Sequence, residues 1–477
     1  MQKRDRMARF HTVFDLIKYS LADVEKKLGE GKQPVFESAI PTNYDALFQM
    51  CRELGVLDGF DNLTDPRQSP AVPKMALCVL MVCRFLHCLR SFGRMGEVLL
   101  RYHPLLERIG VDPVVLKNGG VYDCARRRRE KEGEDPPKPF DEEVVTEWLR
   151  LLKPEELNAL LKLFITALRR RHRELLRRGL FIMDSNHYRV RVSGVEYKWC
   201  ALMAWTPKGM IPVWYEFSLA DGEGSGETSL GRKVIAGAIE AYGPKFIKMV
   251  LMDTGYLDGE DLAWMKREYG IDWVMDPKEK MVITRWMRAK ALEADEKLWR
   301  SVQPPKLNCP KDELPKRHVF WLEDLHNFYT YGERVNGCVI RDEYPATEKH
   351  PEGEVVYQCV VSSRRDWNAI QIHDVWRLRW CIENAFGAMT DNWGLGKWQI
   401  RNPEVYQATI QFMAMTYGLL VCFLYEQEHA PSLQKMADRF QRQTNMVMIV
   451  VDGACAVVTP EVLNAWLERG LLRFCPP

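Results

Sequence analysis

The chain has 477 residues, 46% hydrophobic and 28% charged, with 67 Lys and Arg against 65 Asp and Glu. That apolar content excludes a disordered, collagenous or low-complexity chain, and the length suggests about two to four domains. The net charge of +2 gives no direct sign of a polyanionic partner, but it is the sum of +6 over residues 1–180 and −4 over the rest.

Taken in order, the first third reads as helical. Asp15 to Leu28 and Tyr44 to Leu54 are short amphipathic stretches, Pro73 opens an apolar helix from Lys74 to Leu89, and Phe92 to Leu106 continues the helical pattern. Residues 130–139 (EKEGEDPPKP) are charged and Pro-rich, as in a linker. Helices are expected from Glu142 and from Pro154 to Arg178. At Gly179 the period changes from helical to alternating. Leu180–Val192, Val195–Trp205 and Met210–Leu219 read as an antiparallel meander, with Pro207-Lys-Gly209 as a turn. A helix from Thr228 to Tyr242, a buried strand from Phe246 to Asp253, a helix from Leu257 to Tyr269 and a strand from Ile271 to Met275 follow. The order is β-β-β-α-β-α-β, a mixed α/β layer. Lys278 to Arg365 breaks this rhythm with short strands at 318–322, 334–341 and 354–362, so a β-rich insertion is expected. Helix returns from Asn368 to Thr390. The longest apolar stretch, Ala408 to Tyr425, is interrupted by Gln411 and is short for a membrane span, so it reads as a buried core helix.

Thirteen cysteines are scattered from Cys51 to Cys475 without any Cys-x-x-Cys, which suits buried thiols in a reducing compartment and no zinc site. Three acids stand out by position. Asp184 lies inside the first strand, Asp253 ends the fourth, and Glu383 sits in the helix after the insertion. A carboxylate in an apolar strand is costly to bury unless compensated, and a divalent cation is one such compensation. Each acid alone is more often a cap or an ion-pair partner; two on strands and one on a later helix form a pattern.

That pattern resembles the DDE transposases of bacterial insertion sequences. In the branch with a β-rich insertion, the last motif is Tyr-x2-Arg-x3-Glu-x6-Lys; here it reads Trp376-x2-Arg379-x3-Glu383-x6-Thr390. The second motif, Asp-x-Gly-Tyr, appears as Asp253-Thr-Gly255-Tyr256, and Asp184 supplies the first acid. The resemblance covers residues 180–425. It implies an RNase H-like mixed sheet with flanking helices, interrupted by the insertion and preceded by a helical region. The expected division is 1–130 (DNA-end binding), 131–179 (linker and helices), 180–277 and 366–430 (core), 278–365 (insertion) and 431–477 (tail of unknown role). It also implies two Mg²⁺ ions, with Mn²⁺ as a substitute, held by catalytic Asp184, Asp253 and Glu383. The partners would be duplex DNA with terminal inverted repeats and target DNA, with a homodimer pairing two element ends. The location would be cytoplasmic and nucleoid-associated, away from membrane.

The expected DNA contacts are Arg379, Trp376 as a stacking surface, Tyr256, and Lys397 in place of the cation lost at Thr390. The runs Arg126, Arg127, Arg128, Arg129 and Arg170, Arg171 are added as phosphate contacts. An Arg379–Glu383 ion pair, four residues apart on one helix, is the plain alternative for Arg379. His187 alternates to the opposite strand face and is not expected to ligate metal. Two other functions share these residues: an RNase H-like nuclease without strand transfer, and a non-catalytic DNA-binding protein derived from a transposase.

Overall fold

A computed structural model describes residues 20–38, 42–67, 72–109, 111, 138–190, 193–220, 222, 226–256, 258–304, 314–346, 352–426, 447–458 and 460–472. Arg126, Arg127, Arg128 and Arg129, and most of the expected linker, lie outside these residues. The chain divides into two compact units: residues 169–189 with 194–387, and residues 1–168 with 190–193 and 388–477.

The first of these holds the nine-stranded sheet. The meander is present as β1 (Leu180–Arg189), β2 (Glu196–Thr206) and β3 (Gly209–Leu219). Then come α1 (Glu227–Tyr242), β4 (Met249–Met252), α2 (Gly259–Tyr269) and β5 (Asp272–Met275). The insertion adds α3 (Val282–Glu293), β6 (Arg300–Val302), β7 (Lys316–Leu325), β8 (Val335–Tyr344) and β9 (Glu354–Ser362). Helices α4 (Ala369–Trp376) and α5 (Trp380–Trp393) close the series. All nine strands join one sheet in the order β3-β2-β1-β4-β5-β9-β8-β7-β6. Strands β1, β4 and β5 run parallel, and their neighbours on both sides are antiparallel. The insertion therefore does not stand apart as a β module. It extends the core sheet through the pairing of Val361 and Ser362 with Met275 and Val274. Helix α3 was not expected: its Ile283, Met287 and Ala291 are buried at near-helical spacing, inside a stretch whose turn residues dominate the pattern.

Strand β2 lies between two neighbours, and nearly all its residues are buried. Its Trp199 is fully buried and meets Phe386 of α5 edge-on, with centroids 5.2 Å apart. This contact seats the Glu383 helix on the sheet. Asn368 caps α4 through a reciprocal box with Gln371. A 3₁₀ turn at Arg377–Arg379 separates α4 from α5, so the expected single helix is two helices joined by a tight turn.

The other unit is mainly helical. Its centre is the helix Pro403–Glu426, buried at every residue from Val405 to Leu424 except Gln407. It is the one helix among the described residues long and apolar enough to cross a membrane, and 94% of its apolar window is buried inside the protein. It packs on Glu143–Leu151, with Trp148 and Phe412 centroids 5.9 Å apart, and on Lys74–Leu86. The Gln411 side-chain nitrogen donates to the Pro154 carbonyl at 3.2 Å and to Asn158 Oδ1 at 3.0 Å, while its Oε1 is buried with no partner among the described residues. The expected Phe92–Leu106 helix is split into Phe92–Val98 and His103–Arg108, because Pro104 has no N–H to continue a helix through it. Residues expected as a C-terminal tail form strands Val447–Val451 and Ala454–Val458. Val447–Val451 lies in the middle of a three-stranded antiparallel sheet, between Pro34–Ser38 and Ala454–Val458, and helix Pro460–Glu468 contributes Trp466 to the small core below. Of the nine described cysteines, seven are buried and two half-buried, and none is paired with another.

Truncating Phe386 removes the contact that seats α5. Phe386→Ala should cost about 3–5 kcal/mol of unfolding free energy. Denaturant titration checks this, and a cost below about 1 kcal/mol would show that α5 is seated by other contacts.

Candidate active site

The register of the parallel strands sets the site. Met183 pairs with Met252, and Met252 pairs with Met275. The next residue along each strand is Asp184, Asp253 and Asp276. Three neighbouring strands thus each present an aspartate at the same level, with adjacent strands about 4.8 Å apart. The sequence reading found the first two and missed Asp276. The signal was present: Ile-Met-Asp184, Leu-Met-Asp253 and Val-Met-Asp276 repeat one apolar-Met-Asp pattern.

Glu383 comes to this row from α5, and Arg379 lies between them. The Arg379 guanidinium is 2.7 Å from Glu383 Oε1 and 3.8 Å from Asp253 Oδ2, and only 16% of its side chain is exposed. The two residues are four apart across the start of α5, so they share one helical face. The ion pair set against phosphate contact is thus present in this structure. Among the described residues, no three ligating side chains converge closely enough to grip an ion.

The electrostatics show the strain of like charges. Burial pushes the Asp184 carboxyl up to about 6; the Ser185 amide and Arg379 oppose this, and the Asp253 and Glu383 charges add to it. The Ser185 N–H donates to Asp184 Oδ1 at 2.8 Å. Burial, together with the charge and hydrogen bond of Asp253, pushes Asp276 up to about 7. The upward direction is the one expected of a buried carboxyl in contact with another. Its Oδ1 is buried with no hydrogen-bond partner among the described residues.

Tyr256 and Trp376 are placed differently from expectation. Tyr256 is 5% exposed; its hydroxyl accepts from the Cys200 thiol at 3.6 Å and bonds to Ser185, beside Asp184. It supports the row from within the protein instead of facing DNA. Gly255 before it lies against the end of the Glu227 side chain. Trp376 is also 5% exposed, and Arg379 stacks over its ring at 5.2 Å. Its aromatic face serves the arginine, so it is not the open stacking surface expected. Trp380, one helical turn further on, is 56% exposed. It lines an open groove of about 1320 Å³ with Arg317, Arg377, Arg379, Gln358 and Asn384. Helix α5 ends at Trp393, so it does not carry Lys397; that side chain lies 3.9 Å from Asp391. Arg170 and Arg171 are exposed at the end of helix Pro154–Arg171, and His187 is exposed on β1.

The sequence matches the transposase DDE domain over residues 177–419, half of the chain. The chain belongs to this family of transposases. The matched segment begins just before β1 and carries Asp184, Asp253, Asp276 and Glu383. A similar solved structure is the piggyBac transposase in a synaptic complex with hairpin DNA, at 9% identity and a TM-score of 0.36, covering 87% of this chain and 83% of that one. Another is the NurA nuclease of Sulfolobus solfataricus, at 10% identity and a TM-score of 0.24, covering 53% and 86%. No curated protein matches the sequence. The transposase family acts on DNA and uses divalent metals.

The raised carboxyls give this transposase a signed pH dependence when metal is chelated. A carboxyl whose folded pKa exceeds its unfolded value adds stability that is complete below the unfolded pKa and is lost as pH rises through the folded one. In EDTA, the contribution of Asp184 and Asp276 should fall as pH rises from about 4 to about 7. Asp276→Asn should flatten the pH dependence of the thermal midpoint over that window; an unchanged profile would remove Asp276 from the row.

Proposed function

We propose that this transposase cuts DNA at the ends of a mobile element and joins the freed strand to target DNA, with Asp184, Asp253 and Glu383 as its catalytic carboxylates. The shared level of Asp184 and Asp253, with Glu383 tied to Asp253 through Arg379, carries this reading. The hard oxygen donors suit Mg²⁺, with Mn²⁺ as a substitute. The row gathers carboxylates around one guanidinium, an arrangement that a divalent cation suits. Asp184, Asp253 and Glu383 would hold two such ions, whose charge would stabilise the entering and leaving oxygens of an in-line displacement.

Water first attacks the phosphodiester at the element end, and the bond to the 3′ oxygen breaks to leave a 3′-hydroxyl. That hydroxyl then attacks a second phosphodiester, forming one P–O bond as another breaks. Arg379 bridges Asp253 and Glu383 while the site is empty of DNA. Its planar fork is suited to a phosphate oxygen once those carboxylates take other partners. Trp380 offers the open aromatic surface for a base. Lys397, Arg170 and Arg171 remain candidate phosphate contacts, and the basic balance of residues 1–180 favours end recognition there. Two element ends call for a homodimer.

The test is cleavage of duplex carrying the element ends, with Mg²⁺. Asp184→Asn, Asp253→Asn and Glu383→Gln should each bind DNA and lose at least about a hundredfold in cutting, since even outer-shell partners of a metal site cost up to that much. Full cutting by any of them would remove that residue from the site. Asp276→Asn keeps a group that hydrogen-bonds Asp253 and should retain cutting. Arg379→Gln should lose about 10- to 100-fold in cutting, as expected for one hydrogen bond to a charged group. Unchanged cutting would leave Arg379 only its ion pair.

A further inference from the structure

At the opposite rim of the same sheet lies a second charged feature that the cleavage site does not use. An open cleft of about 650 Å³ is lined by Leu180, Met249 and Asp272, the first residues of β1, β4 and β5. Each stands four residues before an aspartate of the row, so the cleft is about 13 Å down the strands from the carboxylates. Arg178, Lys245 and Lys248 also line it and are exposed. None of the three makes an ion pair among the described residues. Lys248 is held by its stem, which packs on Gly179 at a φ of +62°, and its Nζ donates to the Arg177 carbonyl at 3.2 Å. Arg178 stacks over Trp205 at 4.9 Å.

The cleft's one acid is already neutralised. Asp272 takes Lys266 at 2.6 Å, the Ser363 hydroxyl at 2.7 Å and Arg364 at 3.8 Å. What remains is three uncompensated cations around an open hollow walled by Tyr269 and Trp367. Charge of one sign in a cleft raises the local concentration of a polyanion.

We propose that this cleft holds the phosphate backbone of duplex DNA, on a stretch other than the one being cut. The inference rests on the DNA-processing reading above and adds a second contact that needs no metal. Phosphates bound here lie at the far rim of the sheet from the bond at the carboxylates, so the cleft grips flanking or target duplex while the row acts elsewhere. Because the contacts are to backbone only, binding is independent of base sequence.

The test uses the full chain in EDTA, with anisotropy of a labelled random-sequence duplex across a salt series. Reversing Arg178, Lys245 and Lys248 to Glu should weaken binding at least about tenfold and reduce the slope of log K against log salt by about three, at about 0.9 per phosphate contact. The triple replacement by the other basic residue (R178K, K245R, K248R) should restore both. The thermal midpoint of each variant separates lost binding from lost fold. Unchanged affinity and slope would overturn the proposal. So would an equal loss from reversing Lys280, Lys290 and Lys297, exposed cations on and beside α3, since that would reduce the effect to net charge. Failure here would leave the losses expected of Asp184→Asn and Asp253→Asn standing, and full cutting by those variants would leave the EDTA binding result unaffected.

Discussion

Bringing like charges together at one edge of a buried sheet is the constraint around which this transposase is built. Asp184, Asp253 and Asp276 stand level on three adjacent parallel strands, and Glu383 approaches from a helix. Burial weighs most on Asp184 and Asp276, and the neighbouring charges add to it. The structure answers in two ways. Asp276, buried beside Asp253, is pushed toward its protonated form, and Arg379 bridges Asp253 and Glu383. Both answers are reversible, because a proton can leave and a guanidinium can swing to a phosphate. The protein thus carries a charge deficit that a hard divalent cation would fill, without a cage closed in advance.

The rest of the unit fixes that edge. Trp199 and Phe386 seat the helix that carries Glu383, and the Asn368 cap and the 3₁₀ turn at Arg377–Arg379 set where that helix begins. Tyr256, buried under the row, ties its hydroxyl to Cys200 and Ser185. The insertion does the same from the far side, since β9 pairs with β5, the strand that leads to Asp276. Its opening groove, with Trp380 exposed, meets the same helix.

Much of this was legible from residue order alone. Strand periodicity gave the meander and the short buried strands to within a few residues, because alternation and apolar runs are local properties. The Arg379–Glu383 pair followed from helical spacing. What escaped was long-range. Nothing local says that β9 will pair with β5, or that Val447–Val451 will pair with Pro34–Ser38 some 400 residues earlier, a closure that rests on pattern complementarity and costs only slowly with loop length. Trp376 and Trp380 are both aromatic and four apart. Which is buried depends on the turn at 377–379, and the sequence assigned the open face to the wrong one. Asp276 was missed for another reason: its strand is only four residues long, and an acid just past a short strand reads as a turn residue until the register of its neighbours is known.

The central claim is that the carboxylate row is a metal centre that works on DNA. Diffraction from crystals of the DNA complex soaked in Mn²⁺, read by its anomalous signal, tests it most directly. The account predicts manganese peaks bonded to Asp184, Asp253 and Glu383, with the Arg379 guanidinium moved off the carboxylates and onto a phosphate. Manganese absent from those three side chains in a complex with DNA in place, with Arg379 still bridging Asp253 and Glu383, would contradict it.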